Sequence, residues 1–428
     1  MIDIIDNKND IESFFNNLNK RGNVNNYKYS EIVKGILNNV LENGDEAILE
    51  YTKKFDDPNF SLDKMEIKKE ELKASYESLD ARTKEILIRA HKRIEDYHKH
   101  QIKESWMYKD SIGAKLGMKY SPIEKVGVYV PGGLASYPSS VLMNIIPAKV
   151  AGCKEITMVT PMPKGIKNDL VLAAAYIAGC DKCYRIGGAQ AIGALAYGTK
   201  TISKVDKIVG PGNIYVALAK REVYGLCGID SIAGPSEVCV IADKTCNPLY
   251  VSYDLLAQAE HDVLASSVVF VTDMEVAKKI KEKTNELANN AKRKDILVHS
   301  LTDFSKIIVV KDLDEACYYA NLIAPEHLEL AFDDANKYID KIHNAGAIFV
   351  GHYSAESFGD YMSGPNHVLP TVKTARFFSP LNVDDFMKKT SIQELSKEAS
   401  LKLVDDVFDF ANLEGLEMHA LAAKARKE

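Results

Sequence analysis

The sequence predicts an α/β protein in which two Rossmann-like parallel-sheet units follow one another along the chain. Strand-like and helix-like segments alternate from residue 125 onward, with short links between them. Predicted strands lie near 125–130, 155–160, 183–186 and 206–209 in a first series, and near 237–243, 267–272, 306–311 and 346–350 in a second. Alternation of this kind indicates parallel strands with helices on both faces of each sheet.

A helical region precedes the first sheet. Residues 1–24 are polar and rich in Asn, and we expect them to form an arm. Residues 29–100 are predicted to be helical, and Ser78 is a candidate N-cap for a long helix. The apolar stripe of that helix, at close to helical spacing, comprises Leu79, Ile86, Ala90, Ile94 and Tyr97. We expect solvent around three histidines in or just beyond its charged stretch, His91, His98 and His100.

Beyond this helical region the spacing of the apolar residues changes from helical to alternating. Residues 113–120 and 125–130 alternate like strands, and the second stretch runs into Pro131-Gly132-Gly133, which predicts a loop. Helices are predicted near 138–151, 169–179 and 189–198, between the strands of the first series. Residues 383–428 are again predicted helical and are strongly charged. That tail is held either on its own core or on a neighbouring subunit.

These segments suggest a division into four parts. An N-terminal arm covers 1–24, and a discontinuous α/β domain combines 25–128 with 240–380. A second α/β domain covers 129–239, and a helical C-terminal tail covers 381–428.

Composition bounds the class of protein. The 428 residues are 46% hydrophobic and 27% charged, which is typical of a globular chain with two or three cores. A net charge of −6, with basic and acidic residues interspersed, argues against a nucleic-acid partner. The longest apolar run, 170–180, is too short for a membrane span, and the N-terminus lacks the pattern of a secretory signal. We therefore expect a cytoplasmic protein.

Cysteine usage gives no disulfide framework. Seven cysteines, an odd number, are scattered over the chain. Cys180 and Cys183 have the spacing of a redox or zinc pair, but no second pair lies nearby, so we interpret them as packing residues.

The sharpest candidate for chemistry is Glu326-His327. Pro325 breaks the strand pattern before the pair, so a turn at the lip of a sheet is predicted. Histidine titrates near neutrality, and burial can tune a neighbouring Glu upward until it takes a proton from water. A chance dipeptide without function is the competing interpretation.

A predicted helix after Asn247 ends its apolar stripe with polar groups. Val251 and Leu255 lie on the stripe, Gln258 follows at the next stripe position, and His261 comes one turn later. A metal ion would satisfy both polar side chains. A capped helix end in solvent would satisfy them equally well.

Two more histidines and an aspartate stand out. Asp360 and His367 lie in a loop rich in Gly and Pro, straight after a predicted strand, which is either a ligand site at a carboxyl end or a surface loop. His419 lies on the apolar stripe of the last helix, as a core or interface histidine usually does. Glu414 belongs to the break made by Gly415.

A dinucleotide fingerprint of the G-x-G-x-x-G type is absent after any predicted strand, and so is a Walker loop. The nearest candidates are GGAQ at 187–190 and GPGN at 210–213, each after a predicted strand and at the start of a helix. Such turns can bring backbone close to a phosphate, but strand-to-helix turns favour glycine anyway.

Several longer motifs occur in order along nearly the whole chain: GVYVPGG at 127–133, GGAQAI at 187–192, GPGN at 210–213, AGPSE at 233–237, LLAQAEHD at 255–262, APEHLEL at 324–330, GDYMSGPNHVLPT at 359–371 and EGLEMHA at 414–420. Together they make the chain resemble the histidinol dehydrogenases. The resemblance implies a fold similar to that of aldehyde dehydrogenases and a homodimer whose sites are shared between subunits. It also implies a zinc- and NAD-dependent oxidation of L-histidinol through L-histidinaldehyde to L-histidine.

The same resemblance assigns roles residue by residue, and no position departs from the family pattern. Glu326 and His327 become the acid/base pair. The implied zinc ligands are Gln258, His261, Asp360 and His419, which also contact substrate together with His327. Further substrate positions are Ser236, His367 and Glu414, and the implied NAD positions are Tyr129, Gln190 and Asn213.

Two other classes of protein would use some of these residues. A zinc hydrolase also needs such ligands and a Glu base, but it has no use for two α/β units or for NAD. A binding module explains the α/β units as a ligand cleft but leaves Glu326-His327 without a purpose. None of the seven cysteines lies in a catalytic context, which argues against a thiohemiacetal mechanism.

Overall fold

The computed structural model describes residues 1–18, 20–21, 27–132 and 137–428. The strands are β1 Asp3–Ile5, β2 Glu66–Ile67, β3 Trp106–Lys109, β4 Lys115–Pro122, β5 Lys125–Tyr129, β6 Glu155–Val159, β7 Lys182–Tyr184, β8 Lys207–Val209, β9 Gly228–Ile229, β10 Glu237–Ala242, β11 Ser266–Val271, β12 Lys306–Val309, β13 His327–Ala331, β14 Ala347–Val350 and β15 Met387–Glu394.

The helices are α1 Lys8–Leu18, α2 Tyr27–Asn43, α3 Asp45–Phe55, α4 Lys69–Ser78, α5 Ala81–Lys99, α6 Pro138–Ala151, α7 Asp169–Ala178, α8 Gly188–Tyr197, α9 Ile214–Val223, α10 Pro248–Ala259, α11 Met274–Asn290, α12 Lys294–Asp303, α13 Leu313–Ile323, α14 Glu356–Tyr361, α15 Lys397–Leu401, α16 Val404–Leu413 and α17 Glu417–Lys424. None of the described helices is long and apolar enough to cross a membrane.

Two six-stranded sheets dominate the fold. The first sheet has the order β2-β7-β6-β5-β8-β9 and the second has the order β1-β12-β11-β10-β13-β14. In each sheet five consecutive parallel strands follow the order 3-2-1-4-5, which is the doubly wound arrangement. The predicted pair of Rossmann-like units is therefore confirmed.

Burial on both faces explains why the central strands are so apolar. Every residue of β10 and β11 is buried because helices cover both sides of the second sheet. In the first sheet Gly127 of β5 lets α8 pack closely. A Cβ at Gly127 of β5 would lie only 3.0 Å from the Leu195 side chain on that helix.

The predicted N-terminal arm is instead part of the second sheet. Ile4 of β1 pairs with Ile307 of β12, and α1 buries Ile11 and Phe14 against the same core. A three-residue strand is too short to show an alternating pattern, which is why the sequence did not reveal it. Asn19 and residues 22–24 of the expected arm lie outside the described part of the chain, as does Gly133 of the predicted loop.

The packing of the helices groups the chain differently from the predicted domains. Val33 and Ile36 of α2 share a core with α8 and α9 of the first sheet, and α4 packs on α7. Helices α2 to α5 therefore pack on the first sheet, whereas the prediction combined residues 25–128 with 240–380. That sheet extends from β2 to β9, whereas the second sheet takes β1 together with residues 237–350. Chain order alone does not reveal which sheet a helix will cover.

The long helix α5 is rotated relative to the prediction. Its N-cap is Asp80, not Ser78, because the Asp80 carboxylate accepts a hydrogen bond of 2.9 Å from the Thr83 N–H. The buried stripe comprises Leu87, Ala90, Ile94 and His98, while Ile86 and Tyr97 are exposed. His98, expected in solvent, is fully buried, and burial lowers its pKa. Its Nδ1 donates to the Ile94 carbonyl over 2.7 Å.

The C-terminal tail is not entirely helical. Its first part is β15, which pairs antiparallel with β4, and β3 completes this third sheet. Helices α15, α16 and α17 then pack mainly on one another. Large apolar side chains of the last two helices and their link remain exposed, including Phe410, Leu413 and Met418.

Candidate active site

The candidate site lies where the carboxyl ends of the first sheet face the amino ends of the second. A cavity of about 290 Å³ is lined by Gly210 and Gly212, which follow β8, and by Ser236, which precedes β10. His261 and His327 line the same cavity. The crevice between β5 and β8 is the point where the strand order of the first sheet reverses, and ligands of doubly wound sheets bind at such points.

Glu326 and His327 occupy the predicted turn at the lip of a sheet. The turn begins at Ala324, which ends α13 with a φ of 49°, in the left-handed region. Pro325 follows, and β13 starts at His327. Both side chains of the pair are buried but reach the cavity.

One residue, Glu237, holds both members of the pair through its backbone. Its N–H donates to Glu326 Oε2 over 2.9 Å, and its carbonyl accepts from His327 Nδ1 over 3.1 Å. A carbonyl oxygen can only accept, so Nδ1 carries a proton. His327 Nε2 is thereby left to face Asp360, whose Oδ1 lies 3.8 Å away.

The two side chains perturb each other. Burial raises the pKa of Glu326 to about 7, although the nearby His327 and the bond from Glu237 oppose that rise. Burial alone would lower the pKa of His327, but the carboxylates of Glu326, Asp360 and Glu356 outweigh it and raise that pKa well above its ordinary value. The pair therefore combines a carboxyl group and an imidazole whose pKa values are both raised by their surroundings, and such perturbed groups are typical of acid/base sites.

Behind this pair lies a group of acidic side chains, which we call the carboxyl layer: Asp254, Glu329 and Glu356. Glu329 is two residues beyond His327 on β13, so both face the same side of the strand. Its Oε1 accepts a 2.7 Å hydrogen bond from the Glu356 N–H. Burial raises the pKa of Asp254 to about 6 and of Glu356 to about 8, and it raises that of Glu329 well above its usual range.

Asp360 and His367 come together in the loop after β14. The carbonyl of Asp360 accepts from His367 Nδ1 over 3.1 Å, and Ser140 Oγ lies 3.5 Å from His367 Nε2. The sequence suggested a carboxyl-end site for this loop. Helix α14 instead carries Asp360 back to His327, at the amino end of β13. Burial tends to raise the pKa of Asp360, but the surrounding histidines lower it overall.

The candidate metal ligands are only partly assembled in one chain. Gln258, at the end of α10, is buried, and its Nε2 has no hydrogen-bond partner among the described residues. His261 and Asp360 line the cavity, but His419 and Glu414 are exposed in the tail and do not. No group of three or more His, Cys, Asp or Glu side chains in the described ranges is arranged to hold a metal.

Comparison with known proteins identifies the family of the chain. The family model described as "Histidinol dehydrogenase" matches residues 19–427. The chain belongs to the histidinol dehydrogenase family. It is therefore an enzyme, an oxidoreductase that acts on histidinol.

Individual relatives match this chain over nearly their whole length. The histidinol dehydrogenase of Aquifex aeolicus is 51% identical over 410 residues, which cover 96% of this chain and 95% of the relative. That of Clostridium acetobutylicum is 48% identical over 97% of this chain and 96% of the relative. The crystal structure of histidinol dehydrogenase from Elizabethkingia anophelis is 37% identical, with a TM-score of 0.89 over 92% of this chain and 91% of that one.

The residues that the family resemblance assigns to NAD lie at the carboxyl ends of the first sheet. Tyr129 is buried, and its hydroxyl accepts a 3.2 Å hydrogen bond from the Gly188 N–H. Gln190 is buried in the first turn of α8. Asn213 is the N-cap of α9 and accepts from two backbone N–H groups. Tyr129 and Asn213 thus have structural roles and Gln190 is buried. None of the three lines the cavity, so their cofactor role stays a prediction.

The sequence did not reveal two buried cations near the candidate site. Lys220 on α9 pairs with Asp230 and donates to the Gly210 carbonyl over 3.0 Å. The Asp230 carboxylate accepts from the Gly210 N–H over 2.7 Å, so this ion pair fixes the glycine turn that lines the cavity. The sequence signal that could have indicated a buried Lys220 is its position within the apolar stripe of α9. Arg21, the second cation, contacts Glu237.

Proposed function

We propose that this chain catalyses the oxidation of L-histidinol through L-histidinaldehyde to L-histidine, with two NAD as hydride acceptors. These are the last steps of histidine biosynthesis, and we place them in the cytoplasm. The observation that carries the proposal is the pair Glu326-His327, buried at the cavity and fixed by the two backbone groups of Glu237.

His327 would accept the proton of the alcohol as the first hydride leaves. Because Nδ1 donates to the Glu237 carbonyl, Nε2 is the atom available for that proton. The same nitrogen would serve again when the second hydride leaves. Asp360, 3.8 Å from Nε2, would stabilise the imidazolium that results.

Glu326 would activate water for the second oxidation. Its Oε2 is held by the Glu237 N–H, and burial brings its pKa to about 7, near the pH at which a general base works best. A proton moves from water to the carboxylate as oxygen attacks the aldehyde. The imidazolium of His327 would return its proton to the aldehyde oxygen, which completes the hydrate and frees Nε2 for the second oxidation, in which the hydrate gives up a hydride.

Zinc fits the donor set of this site. Gln258, His261 and Asp360 would hold it. The buried Gln258 amide has one atom without a protein partner, and turning the amide by about 180° would place its oxygen, the atom that binds a metal, at that position. We propose His419 of a second copy of the chain as the fourth ligand. Bound zinc would supply a positive centre that orients the imidazole and amine of the substrate. Ser236, His367 and Glu414 would complete the substrate contacts, and Tyr129, Gln190 and Asn213 would bind NAD.

A homodimer explains the position of the tail. Leu413 and Met418 are 83% and 67% exposed, and a helix that presents apolar side chains to solvent is typical of a surface covered by a partner. A twofold axis would place each tail on the other subunit and complete two sites at once.

A histidinol-dependent NAD reduction assay with metal analysis tests the proposal. We expect two reduced nicotinamides per histidinol and about one zinc per chain in active protein. A single reduced nicotinamide per histidinol, with aldehyde accumulating, would refute the second half of the reaction. Turnover that is independent of NAD would refute the cofactor.

A further inference from the structure

Arg21 is a buried cation that follows α1 and reaches the catalytic region. Its guanidinium pairs with the carboxylate of Glu237, and the two side chains are only 1% and 10% exposed. Arg21 Nη1 also donates to the Leu264 carbonyl over 2.8 Å and lies 3.4 Å from the Ser236 carbonyl. The N-terminal segment is thereby tied to the start of β10 and to the loop that carries His261.

The Glu237 carboxylate is held from two sides. Arg21 binds Oε1, and the backbone N–H of Val372 donates to Oε2 over 3.2 Å. Val372 has a φ of 51°, which is unusual for a β-branched residue and is sustained by its surroundings. Next to it, Thr371 Oγ1 accepts from the Gly234 N–H over 2.7 Å. The carboxylate therefore joins three segments that are far apart in the chain.

We propose that Arg21 is a positioning residue for the catalytic pair. Its ion pair with Glu237 fixes the peptide groups that hold Glu326 and His327, so the N-terminal segment sets the geometry of the reaction centre. The inference rests on the proposed roles of Glu326 and His327. It adds a residue from outside both sheets to the machinery of the reaction.

Stability alone does not explain a pair at this position. A buried ion pair contributes little to folding compared with apolar residues of similar volume, because desolvation offsets much of the attraction. Strand β10 is also held by its ladders with β11 and β13, so the strand itself survives without Arg21. The ion pair instead fixes the position of the Glu237 peptide groups that hold the catalytic pair. A displacement of a catalytic group by about 1 Å can lower the rate roughly 10²-fold.

The test compares Arg21→Met, Arg21→Lys and the double variant Arg21→Met/Glu237→Gln with Asn17→Ala. Asn17 is a matched control because it ties the same segment to the Asp303 carbonyl, away from Glu237. We expect kcat to fall about 10²-fold in Arg21→Met and about 10-fold in Arg21→Lys, with KM for histidinol within about 2-fold. Asn17→Ala should behave like wild type.

The double variant separates positioning from stability. Removing both charges should restore the melting temperature that Arg21→Met loses, because no unpaired charge stays buried. It should leave kcat low. If kcat recovers together with the melting temperature, or if Arg21→Met turns over like wild type at equal zinc content, Arg21 has no positioning role.

A second readout does not depend on catalysis. Diethyl pyrocarbonate modifies accessible imidazoles, and mass spectrometry locates the modified residue. Loosening the Glu237 carbonyl from His327 should speed modification of His327 in Arg21→Met but not in Asn17→Ala. Equal rates would overturn the proposal. If Glu326→Gln and His327→Asn retain turnover while this rate still rises, the assigned chemistry fails but the positioning role stands.

Discussion

Glu356 Oε2 lies 3.7 Å from His327 Nδ1, is buried, and finds no hydrogen-bond donor among the described residues. The carboxyl layer thus meets the catalytic pair at an oxygen that has no hydrogen-bond partner in the described part of the chain. Buried polar groups without partners are costly, so this arrangement has consequences for both rate and stability.

Glu356 should tune the catalytic histidine. The nearby carboxylates raise the pKa of His327, so Glu356→Gln removes one of them and should lower it. The acid limb of the pH profile for kcat should move to lower pH, by an amount on the order of one pH unit. Glu275→Gln, an exposed change on α11, is the control. An unmoved limb in Glu356→Gln would exclude coupling between the two residues.

Metal-free protein should lose stability as pH rises. The folded-state pKa of Glu356 is raised to about 8 from its ordinary value of 4.5, so folded protein binds more protons than unfolded protein between those values. The contribution of Glu356 to the free energy of unfolding is therefore fully present below about pH 4.5 and is lost as pH approaches 8. Urea titrations across this range should show the decline, and a smaller decline in Glu356→Gln. Stability that rises over this window would contradict the raised pKa.

Substitutions of Glu326 and His327 should affect the two half-reactions differently. Glu326→Gln should slow histidinaldehyde oxidation by about 10²-fold or more and histidinol oxidation much less, because only the aldehyde step needs activated water. His327→Asn should slow both steps, since each releases a proton. Each half can be followed by supplying the alcohol or the aldehyde. Equal losses in both halves for Glu326→Gln would contradict this division of roles.

The metal should be removable and necessary. A ligand set of mixed N and O atoms that includes a neutral amide should bind zinc less tightly than thiolates do. Prolonged chelation should lower kcat by at least about 10-fold, and added zinc should restore it. Full turnover in protein shown by elemental analysis to be metal-free would exclude zinc.

Mixed dimers should reveal a shared site. Asp360→Ala and His419→Ala chains should each be inactive alone. After subunit exchange, half of the dimers are mixed, and each has one intact site of two, so activity should return to about a quarter of wild type. Mass analysis verifies the exchange. Mixed dimers without recovered activity would show that the site is built within one chain.

The features that could be predicted from the sequence are those that depend only on residue type and spacing. The alternation of strands and helices gave both sheets, and the Glu326-His327 pair stood out at a strand boundary. The carboxyl layer escaped because each acid sits on a different element. Its members then look like solvated surface residues until the tertiary fold brings them together.

Two other features depended on packing that a one-dimensional pattern does not contain. The buried stripe of α5 is offset by one residue from the predicted stripe. His98, which was expected at the surface, is therefore buried. Likewise Arg21 lies in a polar stretch rich in Asn, and only the position of Glu237 makes it a buried ion pair.

The pairing of β1 with β12 constrains the order in which the chain can fold during synthesis. About 300 residues separate Ile5 from Lys306, so the ribosome, at roughly 5–20 residues per second, needs roughly 15–60 s after making the first strand to supply its neighbour. The first sheet, complete by Ile229, can form meanwhile. The N-terminal strand and Arg21 must therefore wait as nascent chain until the second sheet closes around them, and the catalytic centre is among the last parts to assemble.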